Sequence, residues 1–160
     1  VFATKSNKDS PCIKGTIATH YWTHECHWSD LHTSNRAGTL NTGSGKITLN
    51  QDGTIKLEGS YHDDLDPKYQ SIIRDSTYKR VFAGGYGGYA ALRSDDSLVI
   101  SGYQTSSSTT PKEIRDKLLS SKVVDVQFNY GAGGAMLDND EIVTWGHESY
   151  RHELRDRLRN

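Results

Sequence analysis

One pattern, written three times between Gly45 and the C-terminus, constrains this chain more than any other feature. Leu49-Asn-Gln-Asp-Gly-Thr-Ile-Lys-Leu-Glu-Gly59 and Leu92-Arg-Ser-Asp-Asp-Ser-Leu-Val-Ile-Ser-Gly102 each read as strand, acidic turn, strand, glycine. Leu137-Asp-Asn-Asp-Glu-Ile-Val-Thr-Trp-Gly146 reads the same way with one residue fewer. The period of roughly 40–45 residues marks a repeated supersecondary unit. Asp52-Gly53 is a strong hairpin signal, because a tight turn between strands needs a residue that accepts positive φ. A helix-like segment follows each hairpin and carries an aliphatic-Arg-Asp marker, at Ile73-Arg74-Asp75, Ile114-Arg115-Asp116 and Leu154-Arg155-Asp156. A third marker, Val81-Phe-Ala ahead of Tyr89-Ala-Ala-Leu92, recurs as Val126-Gln-Phe ahead of Gly133-Gly-Ala-Met-Leu137.

These units predict a β-dominated α+β fold. The arrangement expected is three hairpins in one antiparallel sheet, with helices on one face, as a partial propeller-like array. With 160 residues the chain fits one compact domain, divided in sequence into an N-terminal segment (1–44) and the repeats (45–160). The Ser-, Thr-, Asn- and Gly-rich stretch 33–44 reads as a connecting loop between them. A hydrophobic fraction of 34% and fifteen glycines argue against a helical bundle and for a thin, loop-rich core. The formal net charge of -1 supplies no global field toward nucleic acid, so none is expected as partner. No apolar run approaches the length of about 18 residues that would span a membrane. A chain opening on Val1 rather than Met is expected to be a processed product or an excised piece.

The N-terminal segment holds the most unusual composition. His20, His24, Cys26, His27, Asp30 and His32 crowd together with Glu25, Trp22 and Trp28. On a helix, His20, His24 and His27 would fall one turn apart and could ligate Zn²⁺. On a strand, His20, Trp22, His24 and Cys26 would share a face. The spacing matches no zinc-finger template, and aromatic and imidazole packing in a surface loop or groove is the simpler account. Cys12 and Cys26 are open to three readings: a disulfide, two free thiols, or one thiolate beside the histidines. His62-Asp63-Asp64-Leu65-Asp66 could chelate calcium, but acids ahead of Pro67 more simply mark a helix start. The glycine run Gly84–Gly88 lacks a following Lys-Ser/Thr and reads as a link between strands, not a phosphate loop. The charged final segment, with Arg151, Arg155, Arg157 and Arg159 among Glu148, Glu153 and Asp156, reads as a solvated helix face or an unsatisfied repeat edge. A basic helix that binds a partner is the alternative.

The segments ending at Gly102 and Gly146 resemble RCC1-like repeats, the regulator of chromosome condensation type, in their divergent bacterial form. The likeness covers about residues 45–160 and is strongest at Trp145-Gly146. Asp96 stands where that family has Gly, and Ile100-Ser101-Gly102 replaces Val-Thr-Trp-Gly. The resemblance implies a binding scaffold without a catalytic set, as in exchange factors for small GTPases, chromatin binders, a secreted β-lactamase inhibitor and exported bacterial proteins.

The expected function is a non-catalytic recognition module of a secreted or exported bacterial protein, a toxin or adhesin part. It would bind a protein or glycan through Tyr86, Tyr89, Tyr103, Tyr130 and Trp145, since aromatics give large contact area at modest entropy cost. It would need no cofactor, and self-association through repeat edges would be open to it. The alternative is a small hydrolase or nuclease built on the N-terminal cluster. There His24, His27 and Asp30 would be catalytic, or His20, His24 and His27 would be ligands to zinc. Nucleotide exchange on a GTPase is a third option.

Overall fold

The computed structural model describes residues 32–34, 37–41, 45–59, 67–83, 88–101, 112–128 and 132–159. All three predicted hairpins form: β3 (Gly45–Leu49) with β4 (Ile55–Gly59), β6 (Tyr89–Arg93) with β7 (Leu98–Ser101), and β9 (Ala132–Leu137) with β10 (Ile142–Gly146). Each gains a third antiparallel strand from the residues ahead of it. These are β2 (Gly38–Asn41), β5 (Tyr78–Ala83) and β8 (Val123–Phe128). The result is three separate meanders, not the single sheet expected from sequence. A three-residue strand, β1 (His32–Ser34), pairs with β5 and makes the middle sheet four-stranded. Residues 33–44, read as a loop, therefore supply β2 and part of β1. Polar composition hid them, because strand pairing is decided by the neighbouring strand more than by intrinsic preference.

The reason for three sheets lies in the middle one. A half-solvated strand alternates apolar and polar residues, whereas one covered on both faces is apolar throughout. Val81-Phe-Ala83, Tyr89-Ala-Ala-Leu92 and Leu98-Val-Ile100 are buried without interruption. Alternate residues go to two different cores. Val81, Ala83, Tyr89, Ala91 and Val99 join Leu40, Ile47 and Leu49 of the first sheet. Phe82, Ala90, Leu92, Leu98 and Ile100 join Val126, Phe128, Ala135, Val143 and Trp145 of the third. The three meanders thus stack face to face as layers.

Both ends of the stack are finished differently. The outer face of the first sheet is polar. Thr39 and Thr48 share a hydroxyl hydrogen bond at 2.9 Å, and Lys46 and Lys56 flank Glu58 at 3.7 and 3.9 Å. The outer face of the third sheet is covered by α3 (Glu148–Arg159), which buries Leu154 and Leu158. Gly134 permits that approach, since a Cβ there would come within 2.9 Å of Leu158 Cδ1. The Arg155 guanidinium donates to Thr144 Oγ1 at 3.1 Å.

The other two helices fill the space between layers. α1 (Pro67–Asp75) contributes Tyr69 and Ile73 to the first core, and α2 (Lys112–Leu119) contributes Leu118 to the second. Tyr69 also closes the outer edge of β7. Its hydroxyl accepts from Ile100 N–H at 2.8 Å and donates to Ile100 C=O at 3.1 Å, taking the place of a neighbouring strand. Ile73 precedes Tyr78 by five residues and Leu118 precedes Val123 by five, so these two are the equivalent helix positions. The Ile-Arg-Asp marker falls one turn earlier in α2 than in α1 and does not mark equivalent sites. One turn preserves the helix face, which is why the marker still looked periodic.

The strand register corrects the third copy. Leu49 pairs with Ile55, Leu92 with Leu98, and Met136, not Leu137, with Ile142. The third hairpin is as long as the others. β5 and β8 share a register shift at the same place, between Tyr78 and Arg80 and between Val123 and Asp125. One compensating exchange separates the copies: Tyr89 opposite Ser101 in the middle sheet becomes Gly133 opposite Trp145 in the third.

Candidate functional site

The three turns have the same hydrogen-bond plan. In each, the fourth residue donates back to the first, Gly53 to Asn50, Asp96 to Arg93 and Asp140 to Leu137, at 3.0, 2.9 and 3.0 Å. The left-handed position is filled by Gly53 (φ 88°), Asp96 (φ 72°) and Asp140 (φ 69°). The third residue accepts from the backbone N–H two residues on, at 3.0 Å in every copy: Asp52 from Thr54, Asp95 from Ser97, Asn139 from Glu141. Hydroxyls of Thr54 and Ser97 add bonds of 2.6 Å, which hold the Asp52 and Asp95 carboxyls below the usual carboxylate range.

The turns also connect one layer to the next. Gly53 C=O accepts from Tyr78 N–H at 2.7 Å, and Asp96 C=O accepts from Val123 N–H at 2.9 Å. Tyr78 and Val123 open the following sheets and sit in the cores that contain Leu49 and Leu92. Each of these two turns thus has an apolar pair beside it and a carbonyl above it, and an extended segment from the next layer occupies both.

At the third turn no next layer follows among the described residues. Met136 and Ile142 occupy the positions of Leu92 and Leu98, yet both are half-buried, whereas Leu92 and Leu98 are 1% and 0% exposed. α3 reaches only the Gly134 and Thr144 end of this face. What remains is a groove of about 350 Å³ lined by Met136, Asp140, Ile142, Arg155 and Arg159. Among the described residues the Asp140 carbonyl accepts no hydrogen bond from a following strand. Among the described residues Arg155 bonds only the neutral Thr144 hydroxyl, and Arg159 makes no ion pair. The site therefore combines an apolar floor, an open backbone acceptor and two guanidinium groups four residues apart on one helix.

A smaller cleft of about 170 Å³ lies between α1 and α2, lined by Lys68, Tyr69, Ile72, Lys112, Arg115 and Asp116. Its charges are largely engaged, with Lys112 on Asp116 at 2.6 Å and the Arg115 guanidinium 5.1 Å from the Tyr69 ring centroid.

Of the five aromatics expected to bind a partner, the structure describes two, and both are core. Tyr89 is 1% exposed and donates through its hydroxyl to Glu58 C=O at 2.8 Å, linking the first two layers. Trp145 is 1% exposed and packs edge-on against Phe128, with ring centroids 6.0 Å apart. Among the described residues its indole N–H has no acceptor, a cost of about 1–3 kcal/mol that burial of so large a ring offsets. Neither ring is presented to solvent, because a thin three-layer core draws its volume from these aromatics. Tyr86, Tyr103 and Tyr130 lie outside the described residues, as do His20, His24, His27, Asp30, Cys12 and Cys26. The groove residues Met136, Asp140 and Ile142 were missed as a site. The sequence signal for it was the run of arginines in α3.

No known family model matches the chain, and no curated protein is significantly similar to it. Among the described residues no helix is long and apolar enough to cross a membrane.

Proposed function

We propose that this chain is a non-catalytic recognition module that binds a protein partner through the groove between α3 and the outer face of the third sheet. One observation carries the reading. Among the described residues the same docking position is occupied at Gly53 and Asp96 and open at Asp140. A half-covered apolar floor beside an open backbone acceptor is the kind of surface to which an extended segment can add. Under the repeat resemblance, rigid turns at one end of the repeats carry the partner-specific chemistry. The setting in an exported bacterial protein is part of the same proposal and rests on that resemblance alone.

The test is comparative capture on immobilised protein. Wild type, Ile142→Glu, which puts a charge on the groove floor, and Lys56→Glu, on the opposite polar face, are exposed to the same candidate host extract. A protein retained by wild type and Lys56→Glu but lost from Ile142→Glu supports the groove. A partner retained equally by all three, with folding verified by circular dichroism, rejects it.

A further inference from the structure

Separately from the groove, we infer that the cleft between α1 and α2 binds a phosphate monoester, a small dianion on an apolar body. Each helix delivers one wall. On α1, Lys68 and Ile72 lie one turn apart with Tyr69 beside them. On α2, Lys112, Arg115 and Asp116 fall at i, i+3 and i+4 and share a face, whereas the intervening Glu113 points elsewhere. The residues lining the cleft therefore bring three positive charges and one negative. A phosphate monoester carries close to two negative charges at neutral pH and matches that surplus. The volume of about 170 Å³ is well below the roughly 300–1,000 Å³ of a drug-sized pocket, so it suits a phosphoryl group on a short body rather than a nucleotide.

The contacts inside the cleft position these charges without cancelling them. Lys112 donates to Asp116 at 2.6 Å, and that bond, with Lys68 and Arg115 close by, holds the Asp116 carboxyl below the usual carboxylate range. The Arg115 guanidinium lies 5.1 Å from the Tyr69 ring centroid, and Tyr69 is itself fixed by its two bonds to Ile100. A ring face attracts a cation but carries no net charge, so this contact orients Arg115 and leaves its charge intact. A guanidinium held in place loses little freedom when its fork meets phosphoryl oxygens. Lys68 and Lys112 are exposed and add point charges from opposite walls. Ile72 and the Tyr69 ring supply an apolar floor for the carbon body of the ester. Asp116 competes with the ligand for Lys112, so its neutralisation should improve the site.

The probe is phenyl phosphate, titrated into the isotope-labelled full chain in phosphate-free buffer and followed by amide chemical shifts. Phenyl sulfate, with the same shape and one charge fewer, and neutral phenol are the companions. Saturable shifts are expected for phenyl phosphate at Lys68, Ile72, Lys112 and Arg115. Phenyl sulfate should bind about fivefold more weakly and phenol should not saturate. Lys68→Gln should weaken binding by about fivefold at an unchanged melting temperature, and Arg115→Gln by at least as much. Asp116→Asn should strengthen it severalfold, whereas Asp75→Asn, the same charge change at the other end of α1, should leave it unchanged. No saturable shift with phenyl phosphate, or no loss in Lys68→Gln, would overturn the site. Equal binding of phenyl sulfate would overturn the match to a dianion. Equal gains from Asp116→Asn and Asp75→Asn would reduce the effect to net charge and overturn the cleft as its location.

Discussion

Replacing Tyr69 by Phe tests whether a helix side chain serves as the missing edge strand of the middle sheet. The substitution removes one oxygen and leaves the ring. Yet that oxygen meets both polar groups of Ile100, its N–H at 2.8 Å and its C=O at 3.1 Å, in a place where Ile100 is 1% exposed. Each buried backbone group left unsatisfied costs about 1–3 kcal/mol. The carbonyl retains a second lone pair and the phenol no longer needs desolvating, so the net loss should be about 2–3 kcal/mol. For a domain of this size each kcal/mol moves the melting temperature by about 2–4 °C, giving a fall of about 5–10 °C. Urea unfolding followed by circular dichroism should show an unchanged slope and a lower midpoint. Hydrogen exchange at the Ile100 amide should accelerate beyond the global loss. The comparison is Tyr78→Phe, which removes a single bond to Ile73 C=O at 2.8 Å and should cost about 1 kcal/mol. If Tyr69→Phe costs no more than Tyr78→Phe, the edge-closing role is wrong.

Three further outcomes follow from the same geometry. Burial pushes the Tyr78 phenol up to about 12 and the Tyr69 phenol higher still, while the unfolded chain ionises near pH 10. Stability should therefore hold below pH 10 and fall as pH rises toward 12, and Tyr78→Phe should flatten that fall in denaturant titrations at pH 9 to 12. Gly133→Ala places a Cβ 2.5 Å from the Trp145 ring and should cost about 2–3 kcal/mol, most of it recovered in a Trp145→Leu background; additive losses in the double-mutant cycle would refute the contact. Asp140→Ala should destabilise by about 1 kcal/mol because its φ of 69° penalises a Cβ without a local polar compensation, whereas Asp140→Gly should be neutral or gain about 0.5 kcal/mol by thermal melting.

The sequence by itself determined the local units. Asp52-Gly53, Ser94-Asp95-Asp96 and Asn139-Asp140 each specify a turn by residues that accept positive φ or bond their own backbone, and such choices are made within a few residues. The helix start at Pro67 and the apolar face of Tyr69, Ile72 and Ile73 are local in the same sense. Only the tertiary structure decided which strands pair and how sheets stack. β2 is polar enough to read as a loop, and it is a strand because β3 offers it a partner. The uninterrupted burial of Val81-Phe-Ala83 is compatible with any doubly covered strand, so sequence could not say whether one sheet or three would result. Met136 replaced Leu137 in the repeat alignment for the same reason: register is fixed by the facing strand, and a slip of one residue exchanges the two faces. The groove was invisible because its residues are far apart in the pattern: Met136 and Ile142 lie on two strands and the arginines on α3, and only the fold brings them together in space.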